Sequence, residues 1–549
     1  MKKRRLLAAL LCLTLLFVIV ACSKDNDGQG GNSTTQGGAS SGDSSPGSSS
    51  GSSPGTSTEG SAPGGGAASG RDTLNIAVAA DQGTLDVVFL AGDYTSIMHL
   101  VHEPLWDLDE NGNVIWQLAT SVDEVSDTQW LVHLREGVTF SNGNPLTASD
   151  VVFTINYYVN SGSMWGFPRT QTLDIPACTI ADEMTVDLRF PAYHVANWSV
   201  LSDLVIYDEE SFTTQEEASI NPIGTGPYVF TEYVLNSHSV LTARDDYWGG
   251  TPNFKSIKIR VLAEPSQRVN ALETGLVDIA MVSVEDVDYV SALPNINVIS
   301  RYPPSWPIIA YNHNPVSLLS NVEARYAICH AINRQAIVDL VYLGRAEVMT
   351  YPMSKVVFDH ETRFENMHPT YAIGYNTDLA KQYAEKTGLV GQTLTIITNG
   401  TPAYITMAEI LQNMLQDIGI NTVIHNYDPA GFTAATREPE SWDIYFNGNI
   451  CPNRRIADPL LNGVRYVPAR QEGWDGVARF MEIGPTVFTT KDPQGRSKIT
   501  EEMLTLYQDA CLDYAICDVQ THFAFAADLT NIIFRTTSGM RYKDIKAVP

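Results

Sequence analysis

Residues 134–159 read LREGVTFSNGNPLTASDVVFTINYYV and carry the signals of a strand, a tight turn and a capped helix. Val138 and Phe140 alternate with polar neighbours, which predicts a half-buried strand. The Asn-Gly-Asn-Pro sequence at residues 142–145 favours a turn, because glycine adopts positive φ at little cost and proline keeps the preceding residue out of the helical region. We therefore expect a strand that turns sharply into a helix.

The helix that follows has a clear start and one apolar face. Thr147 is a suitable N-cap, and Asp150, three residues later, can make the reciprocal bond of a capping box. The stripe that we expect to be buried consists of Val151, Val152, Ile155 and Val159. This pattern predicts a helix with one side packed against the interior.

The same stretch resembles the G-x-PLTA-x-DV-x-F signature of the family 5 solute-binding proteins, which are the peptide, nickel and related receptors of ABC importers. Further blocks match in the family's order, at residues 221–228 (NPIGTGPY), 246–252 (DYWGGTP), 268–278 (RVNALETGLVD), 323–334 (EARYAICHAINR) and 375–381 (YNTDLAK). Val87 stands where the family usually has proline, and His102 where it has tyrosine. The resemblance extends from about Thr73 to Asp443 and fades after Pro459.

The resemblance implies an α/β fold of the two-lobe, periplasmic-binding-protein type (Venus flytrap, type II, cluster C), with an extra small subdomain in lobe I. It places lobe I at residues 71–308 with the subdomain at about 116–219, lobe II at 309–500, and a return to lobe I at 501–549. The residues also favour an α/β second lobe, because an amphipathic helix at 407–418 precedes a strand at 422–425. A chain of 549 residues is too long for one simple core.

The N-terminus has the pattern of a bacterial lipoprotein signal at residues 1–21. A basic start is followed by an apolar run, residues 6–20, that is too short for a comfortable transmembrane span. The run ends Ile-Val-Ala-Cys, which resembles a lipobox and makes Cys22 the expected lipidated residue. An ordinary secretory signal in which Cys22 is incidental is the alternative.

Residues 22–70 have the composition of a flexible tether. The segment consists largely of Ser, Gly, Thr and Pro, so it cannot bury enough apolar surface to offset the entropy of ordering. A lipid anchor with such a linker predicts an extracytoplasmic protein held at the outer face of the bacterial cell membrane.

Charge and motifs exclude several classes of function. The formal net charge is −27, and no dense basic patch exists outside the extreme N-terminus, which disfavours nucleic acid as a partner. The sequence has no Gly-x-Ser-x-Gly elbow, His-Glu-x-x-His pair or Walker loop, so we predict neither an enzyme nor a cofactor. His99 and His102 lie one helical turn apart and could ligate nickel or zinc, but a polar helix face is the more common reason for such a pair. We therefore predict no metal site.

The cysteines fix no disulfide by counting. Once Cys12 is removed with the signal and Cys22 is lipidated, five remain, which is an odd number. Cys511 and Cys517 could pair, although a helical register through residues 512–516 would place them poorly.

The resemblance locates a candidate ligand site around Asp443. Oligopeptide receptors of the family carry a W/Y-D-x-A-x-x-G-W segment, in which an Asp nine residues after the first grips the amino terminus of the peptide. Residues 441–449 (SWDIYFNGN) keep this frame with Asp443 and Gly448, but Asn449 stands at the Trp position. The ammonium-gripping position is Pro452, and Asp458 is the candidate replacement.

Other residues could complete the site. Arg437 falls where those receptors carry an Arg that can pair with a ligand carboxylate. The alternative for Arg437 is a solvated helix end. We also expect aromatic side chains to line the cleft, where they would suit peptide side chains or sugar rings equally well; they are Trp165, Phe167, Trp306 and Tyr311.

These features predict a monomeric, lipid-anchored receptor that captures a peptide and delivers it to the permease subunits of an ABC importer by hinge closure. An oligosaccharide or a metal chelate is the alternative ligand. A peptide-sensing receptor on the same fold is the alternative function. A secreted hydrolase is disfavoured by the missing catalytic motifs.

Overall fold

The computed structural model describes residues 71–548, except for residues 82, 91–92, 164–168, 452–453, 466–473 and 536–538. The predicted signal segment and tether therefore lie outside the described residues. Within the described part of the chain, no helix is both long and apolar enough to cross a membrane.

The strands of the described residues are numbered in chain order. They are β1 (Thr73–Val78), β2 (Trp106–Leu108), β3 (Val114–Trp116), β4 (Ala119–Ser126), β5 (Gln129–Leu134), β6 (Thr179–Asp182), β7 (Thr185–Arg189), β8 (Tyr228–Val234), β9 (His238–Ala243), β10 (Ser256–Val261), β11 (Ile279–Val282), β12 (Ile296–Arg301), β13 (Ser305–Tyr311), β14 (Ala346–Val348), β15 (Thr393–Thr398), β16 (Asn421–Asn426), β17 (Ile444–Ile450), β18 (Asp513–Ala515), β19 (Cys517–Val519), β20 (Thr521–Ala526), β21 (Leu529–Thr530) and β22 (Lys546–Ala547).

The α-helices are numbered in the same way. They are α1 (Asp93–Met98), α2 (Ala148–Asn160), α3 (Asn197–Leu201), α4 (Gln215–Ala218), α5 (Pro265–Glu273), α6 (Val287–Ser291), α7 (Val322–Ala331), α8 (Arg334–Val341), α9 (Pro369–Ala372), α10 (Thr377–Thr387), α11 (Pro402–Gln416), α12 (Pro429–Ala435), α13 (Ala457–Arg465), α14 (Val477–Thr489) and α15 (Pro493–Asp509).

The strand–turn–helix stretch is partly as predicted. Helix α2 begins after Thr147, whose backbone N–H donates to the Asp150 carboxylate across 2.8 Å, so the capping prediction is confirmed. The predicted strand at 138–140 is wrong. These residues form a closed loop in which the Phe140 N–H donates to the Asn144 carbonyl, and an isolated bridge joins Thr139 to Pro145 within the loop. The regular strand is β5, which ends at Leu134.

The buried face of α2 differs slightly from the predicted stripe. Val151 and Ile155 are buried as expected, and Tyr158 is buried with them, at positions i, i+4 and i+7. Val159 is 38% exposed, because it falls at the margin of this face.

Two sheets carry most of the structure. The larger has seven strands in the order β12-β20-β11-β1-β10-β9-β8. The smaller has five strands in the order β16-β15-β17-β13-β18, in which β15 runs parallel to both neighbours and β13 runs antiparallel to both of its own. A separate four-stranded antiparallel sheet, β4-β5-β7-β6, lies within the predicted subdomain.

Each of the two large sheets has its own hydrophobic core. One cluster of buried residues runs from Leu74 to Ile545 and includes the four-stranded sheet, whereas the other runs from Trp306 to Cys517. The chain therefore crosses between the sheets at residues 302–304 and again near Gln520. Helix α15 and strand β18 belong to the smaller sheet's core, which favours a return near residue 520 rather than at residue 501.

The C-terminal segment is tied to the larger sheet's core by buried charges. Arg535 is 2% exposed, and its guanidinium donates to the carboxylates of Asp107 at 2.9 Å and Asp203 at 2.9 Å. Arg541 donates to the same Asp107 carboxylate across 2.7 Å. These pairs join residues more than 300 positions apart and hold the chain at Arg535 and Arg541 against the larger sheet's core.

Candidate functional site

One edge of the five-stranded sheet faces the crossings between the two sheets. Strand β13 begins at Ser305, directly after the first crossing, and its antiparallel register places Ser305 opposite Ile450 and Trp306 opposite Asn449. The carboxyl end of β17 therefore lies at the same edge. Ligands of open α/β sheets bind outside the carboxyl ends of parallel strands, so this is the edge at which a site is expected.

The parallel strands β15 and β16 end at the same edge. Thr398 pairs with Asn426, and the Tyr427 N–H donates to the Thr398 carbonyl across 3.0 Å. Asn399 and Gly400 then turn the chain away. Gly400 has φ +80°, and a Cβ there would lie 2.8 Å from the Tyr427 carbonyl oxygen, so glycine is needed at this turn. We call the set of Ser305, Trp306, Asn399, Tyr427 and residues 447–450 the crossing edge.

Two buried hydrogen-bond donors lie next to each other on the crossing edge. Trp306 is 1% exposed, and its indole Nε1 has no hydrogen-bond partner among the described residues. The Asn449 amide Nδ2 is likewise buried with no partner in the described part of the chain. Because directly opposed residues project from the same face of a sheet, the two donors lie close together. A buried unpaired donor is costly, so this pair is suited to an acceptor supplied by a ligand.

Gly448 allows a tyrosine to approach the face of β17 opposite to the one that carries Asn449. A Cβ at Gly448 would lie 2.8 Å from the Tyr404 hydroxyl oxygen and 3.8 Å from the Ser305 hydroxyl oxygen. Tyr404 lies in the first turn of α11, and burial raises the pKa of its phenol to about 12, so it is a neutral donor and acceptor. The sequence analysis missed Tyr404. The signal was the Thr-Asn-Gly-Thr-Pro segment at 398–402, which marks a strand end followed by a helix start.

Asp443 is a structural residue at the opposite end of β17. One carboxylate oxygen accepts a hydrogen bond from the Ser317 hydroxyl at 2.6 Å, and the other accepts the backbone N–H of Thr395 at 2.9 Å. Six residues separate Asp443 from Asn449, so the two lie about 20 Å apart along an extended strand. The carboxylate thus joins the segment before β17 to strand β15 and to the loop after β13, away from the crossing edge.

Arg437 and Tyr311 also lie away from the crossing edge. Arg437 is exposed and lies two residues after α12. Two residues further on, the Pro439 carbonyl accepts a hydrogen bond from the side chain of Asn312, which directly follows β13. The exposure of Arg437 favours its interpretation as a solvated residue at a helix end, and disfavours a role as the partner of a ligand carboxylate. Tyr311 is fully buried at the last position of β13, where its hydroxyl lies 3.2 Å from the Cys329 sulfur. The structure therefore does not bring these two residues to Trp306.

Asp458 lies beyond the crossing edge, in the first turn of α13. It is partly buried and near Cys451, the residue after β17, because its charge contributes to raising the pKa of that thiol. Trp165, Phe167 and Pro452 lie outside the described residues. Of the predicted ligand-binding residues, the structure thus brings together Trp306, Gly448 and Asn449.

The two histidines considered as metal ligands have other surroundings. His99 and His102 are both buried, and burial lowers the pKa of both, to about 4 for His102. The His102 ring packs against Tyr207 with centroids 5.0 Å apart. Among the described residues, no group of three or more His, Cys, Asp or Glu side chains is placed to hold a metal ion.

The fold and its crossing edge define a two-lobe solute-binding protein of the periplasmic type. The chain matches the family model "Bacterial extracellular solute-binding proteins, family 5 Middle" over residues 113–453, which is more than half of its length. The chain therefore belongs to this family, as the sequence motifs predicted.

Curated relatives bind different solutes. The chain is 26% identical over 367 residues to a putative ABC transporter peptide-binding protein of Brucella abortus, covering 63% of this chain and 67% of that protein. It is 23% identical over 495 residues to the nickel-binding periplasmic protein of Escherichia coli, covering 85% of this chain and 92% of that one.

Solved structures share the fold. NikA of Brucella suis, solved in complex with Fe(III)-EDTA, superposes with a TM-score of 0.77 at 21% identity, over 86% of this chain and 99% of that one. The oligopeptide-binding protein AppA of Bacillus subtilis, solved with a nonapeptide, gives a TM-score of 0.72 at 20% identity, over 87% of this chain and 99% of that one. The α/β, two-lobe prediction is thus confirmed.

Proposed function

We propose that the protein captures a peptide at the crossing edge and delivers it to an ABC importer by hinge closure. The observation that carries the proposal is the pair of buried, unpartnered donors, Trp306 Nε1 and Asn449 Nδ2. Membership of family 5, whose members include peptide-binding and nickel-binding proteins, supports a transport receptor rather than an enzyme.

Peptides fit the chemistry of this donor pair. A peptide presents a carbonyl acceptor at every residue, so two adjacent donors can be satisfied whatever the side chains. Pro452 supplies no carboxylate for an α-ammonium group, and a buried ammonium without a partner is costly. Recognition of main-chain acceptors by Trp306 and Asn449 thus replaces recognition of the amino terminus.

Contacts between the two halves of the molecule support closure around a solute. The backbone N–H of Val195 donates to the Phe488 carbonyl across 2.8 Å, and the Arg454 guanidinium donates to the Glu110 carbonyl across 3.1 Å. Each bond joins the smaller sheet's core to the larger one. Closure would exclude water from the donors and strengthen their bonds to the ligand.

The N-terminal signals support a site of action outside the cytoplasm. Lipidation at Cys22 anchors the monomer to the outer face of the cell membrane, and residues 23–70 act as the tether. The permease subunits of the importer are the partners that receive the peptide.

Single substitutions in a matched pair test the site. Trp306→Phe removes the Nε1 donor and keeps an aromatic ring, and we expect it to weaken binding of a random nonapeptide mixture by about 2- to 10-fold, the value of one lost hydrogen bond. Trp442→Phe is the control, because the Trp442 Nε1 is also buried without a partner among described residues but lies next to Asp443. Arg437→Ala is a second control, and both should bind like the wild type.

The identity of the captured molecule is tested separately. Native mass spectrometry of the protein as isolated from its cells should detect bound peptides, which are absent from Asn449→Asp, since the new carboxylate repels main-chain carbonyls. Recovery of a metal chelate or an oligosaccharide instead of peptide would overturn the peptide proposal and leave the solute-binding function in place.

A further inference from the structure

Two cysteines far apart in the sequence are in contact in the smaller sheet's core. The sulfurs of Cys329 in α7 and Cys511 after α15 lie 3.4 Å apart, and 182 residues separate them along the chain. The other described cysteines, Cys178, Cys451 and Cys517, are also buried.

Several bonds fix the two backbones at this point. The Arg325 guanidinium in α7 donates to the Ala510 carbonyl across 2.8 Å, and the Tyr326 hydroxyl donates to the Asp509 carbonyl across 3.1 Å. Thus the two residues that precede Cys511 are both held by the helix that carries Cys329. This framework thus fixes the backbone positions from which the two thiols project.

The backbone conformation of Cys511 directs its side chain towards Cys329. Its φ is +46°, in the left-handed region that residues other than glycine seldom adopt. This conformation ends α15 and starts β18, so the residue after the helix turns its side chain towards α7 rather than continuing the helix. Leu512 to Ile516 contain the strand Asp513–Ala515, and the helix considered for them in the sequence is wrong because β13 offers this segment a pairing partner.

We infer that Cys329 and Cys511 form a disulfide in the mature protein. Members of the family are extracytoplasmic, and disulfides form and persist in such oxidising compartments. Joining the sulfurs requires them to approach by about 1.4 Å in total, to the length of a disulfide bond. Side-chain rotation within the fixed framework can supply this movement.

The oxidant is a disulfide of a small molecule or of an oxidoreductase. One cysteine thiolate attacks it and releases a thiol, and the second cysteine then attacks the mixed disulfide and releases another. The two cysteines are oxidised, the external disulfide is reduced to two thiols, and these take up the two protons. Burial raises the pKa of the Cys511 thiol well above its usual range, so the attacking thiolate forms most readily when this thiol is exposed to water.

Peptide mapping of the full-length protein, isolated from the membrane fraction with N-ethylmaleimide present throughout, tests the bond. Digestion by trypsin and by a protease that cleaves after Tyr514 separates Cys329, Cys511 and Cys517 onto different peptides. The expected result is a linked pair holding Cys329 and Cys511, about 2 Da lighter than the two free peptides together. Maleimide on both of these cysteines, or a link from Cys511 to Cys517, would overturn the inference.

A stability measurement checks the same bond independently. Reductant should lower the thermal midpoint of the wild type by on the order of 5 °C and leave Cys329→Ser unaffected. Cys451→Ser is the matched control, since Cys451 is also buried and its thiol donates to the Arg455 carbonyl across 3.2 Å. This variant should respond like the wild type. An equal response of Cys329→Ser would contradict the bond, and should this variant fail to fold, the linkage map of the wild type decides.

Discussion

The Lys491 ammonium group lies 2.5 Å from the Asp127 carboxylate and joins the end of α14 to the turn between β4 and β5. The neighbouring rings of His194 and Phe488 stack with centroids 4.9 Å apart and an angle of 4°. Together with the bond from Val195 to Phe488, these contacts connect the four-stranded sheet to the core of the five-stranded sheet. The structure is thus held in a state in which its two halves touch.

Charge reversal at this contact should favour separation of the halves. Asp127→Lys replaces an attraction with a repulsion, and because both groups are partly exposed the effect is modest and weakened by salt. We expect peptide affinity to fall by about 2- to 5-fold at low ionic strength. Small-angle scattering should show a larger radius of gyration than for the wild type.

The control for Asp127→Lys is Asp72→Lys, which breaks an exposed pair with Lys255 inside one half. Scattering of the wild type with saturating nonapeptide tests the motion itself, and a profile identical to that of the ligand-free protein would count against hinge closure.

Loss of the buried Arg535 guanidinium should destabilise the fold. Arg535→Met leaves the Asp203 carboxylate without this partner and removes one of the two cations at Asp107. Breaking a buried ion pair in this way should cost about 3–5 kcal/mol of unfolding free energy. Urea denaturation measures the change. Lys255→Met, at an exposed pair, should leave the midpoint unchanged, and a similarly small effect of Arg535→Met would refute the argument.

A methyl group at Gly448 should displace Tyr404. Gly448→Ala should lower the unfolding free energy by about 1–3 kcal/mol, as overpacking does, and weaken peptide binding because the crossing edge is disturbed. Adding Tyr404→Phe removes the oxygen that the methyl would contact and should restore much of the stability. Thermal unfolding of both single variants and the double variant measures this coupling. Additive losses would mean that the two residues do not interact.

The Asp518 carboxyl should give the protein a specific pH dependence. Burial raises its pKa from 3.8 to about 6, against the lowering effects of the Ser354 hydroxyl and the Lys355 N–H, while the charge of Glu347 adds to the rise. The folded state therefore holds a proton that the unfolded state has lost. Unfolding free energy should decrease as the pH rises from about 4 to 6, by on the order of 2–3 kcal/mol.

Asp518→Asn keeps a side-chain acceptor and cannot ionise. The unfolding free energy of this variant should therefore not show the decrease between about pH 4 and pH 6 that we expect for the wild type. Urea unfolding of both proteins at pH 4.5 and pH 6.5 gives the comparison. Parallel curves for the two proteins would show that Asp518 is not the responsible group.

Removal of the proposed lipidation site should release the protein. We expect Cys22→Ala to prevent lipidation, so that the protein appears in the medium or accumulates unprocessed. Cell fractionation with fatty-acid labelling measures both outcomes. Cys12→Ala, within the apolar run, is the matched control and should remain anchored. A processed, membrane-bound Cys22→Ala protein would show that another feature anchors the chain.

The sequence predicted the parts of the fold that depend on local signals. The cap of α2 by Thr147 and Asp150 depends on only four consecutive residues. The helix and strand around residues 402–426 follow from the periodicity of their apolar residues. The ordered motifs identified the family, which the match over residues 113–453 confirmed. These signals require no knowledge of which strands pair.

The candidate site was predicted less well because it depends on pairing. Asp443 and Asn449 are close in sequence, yet they occupy opposite ends of β17, and only the register with β13 shows which end faces the crossings. Trp306 belongs to the site through the same register. Tyr404 contacts the crossing edge because α11 packs against Gly448, and this contact cannot be predicted from the spacing of residues along the chain.

The order of strands in the seven-stranded sheet has a consequence for synthesis. Strand β20, residues 521–526, lies between β11 and β12 and is the neighbour through which β12 joins the sheet. All five strands of the smaller sheet are made before it. During synthesis from the amino terminus, the five-stranded sheet can therefore form before the seven-stranded sheet is complete. The edge of β11 has no neighbouring strand on the side of β20 until the last thirty or so residues have been made.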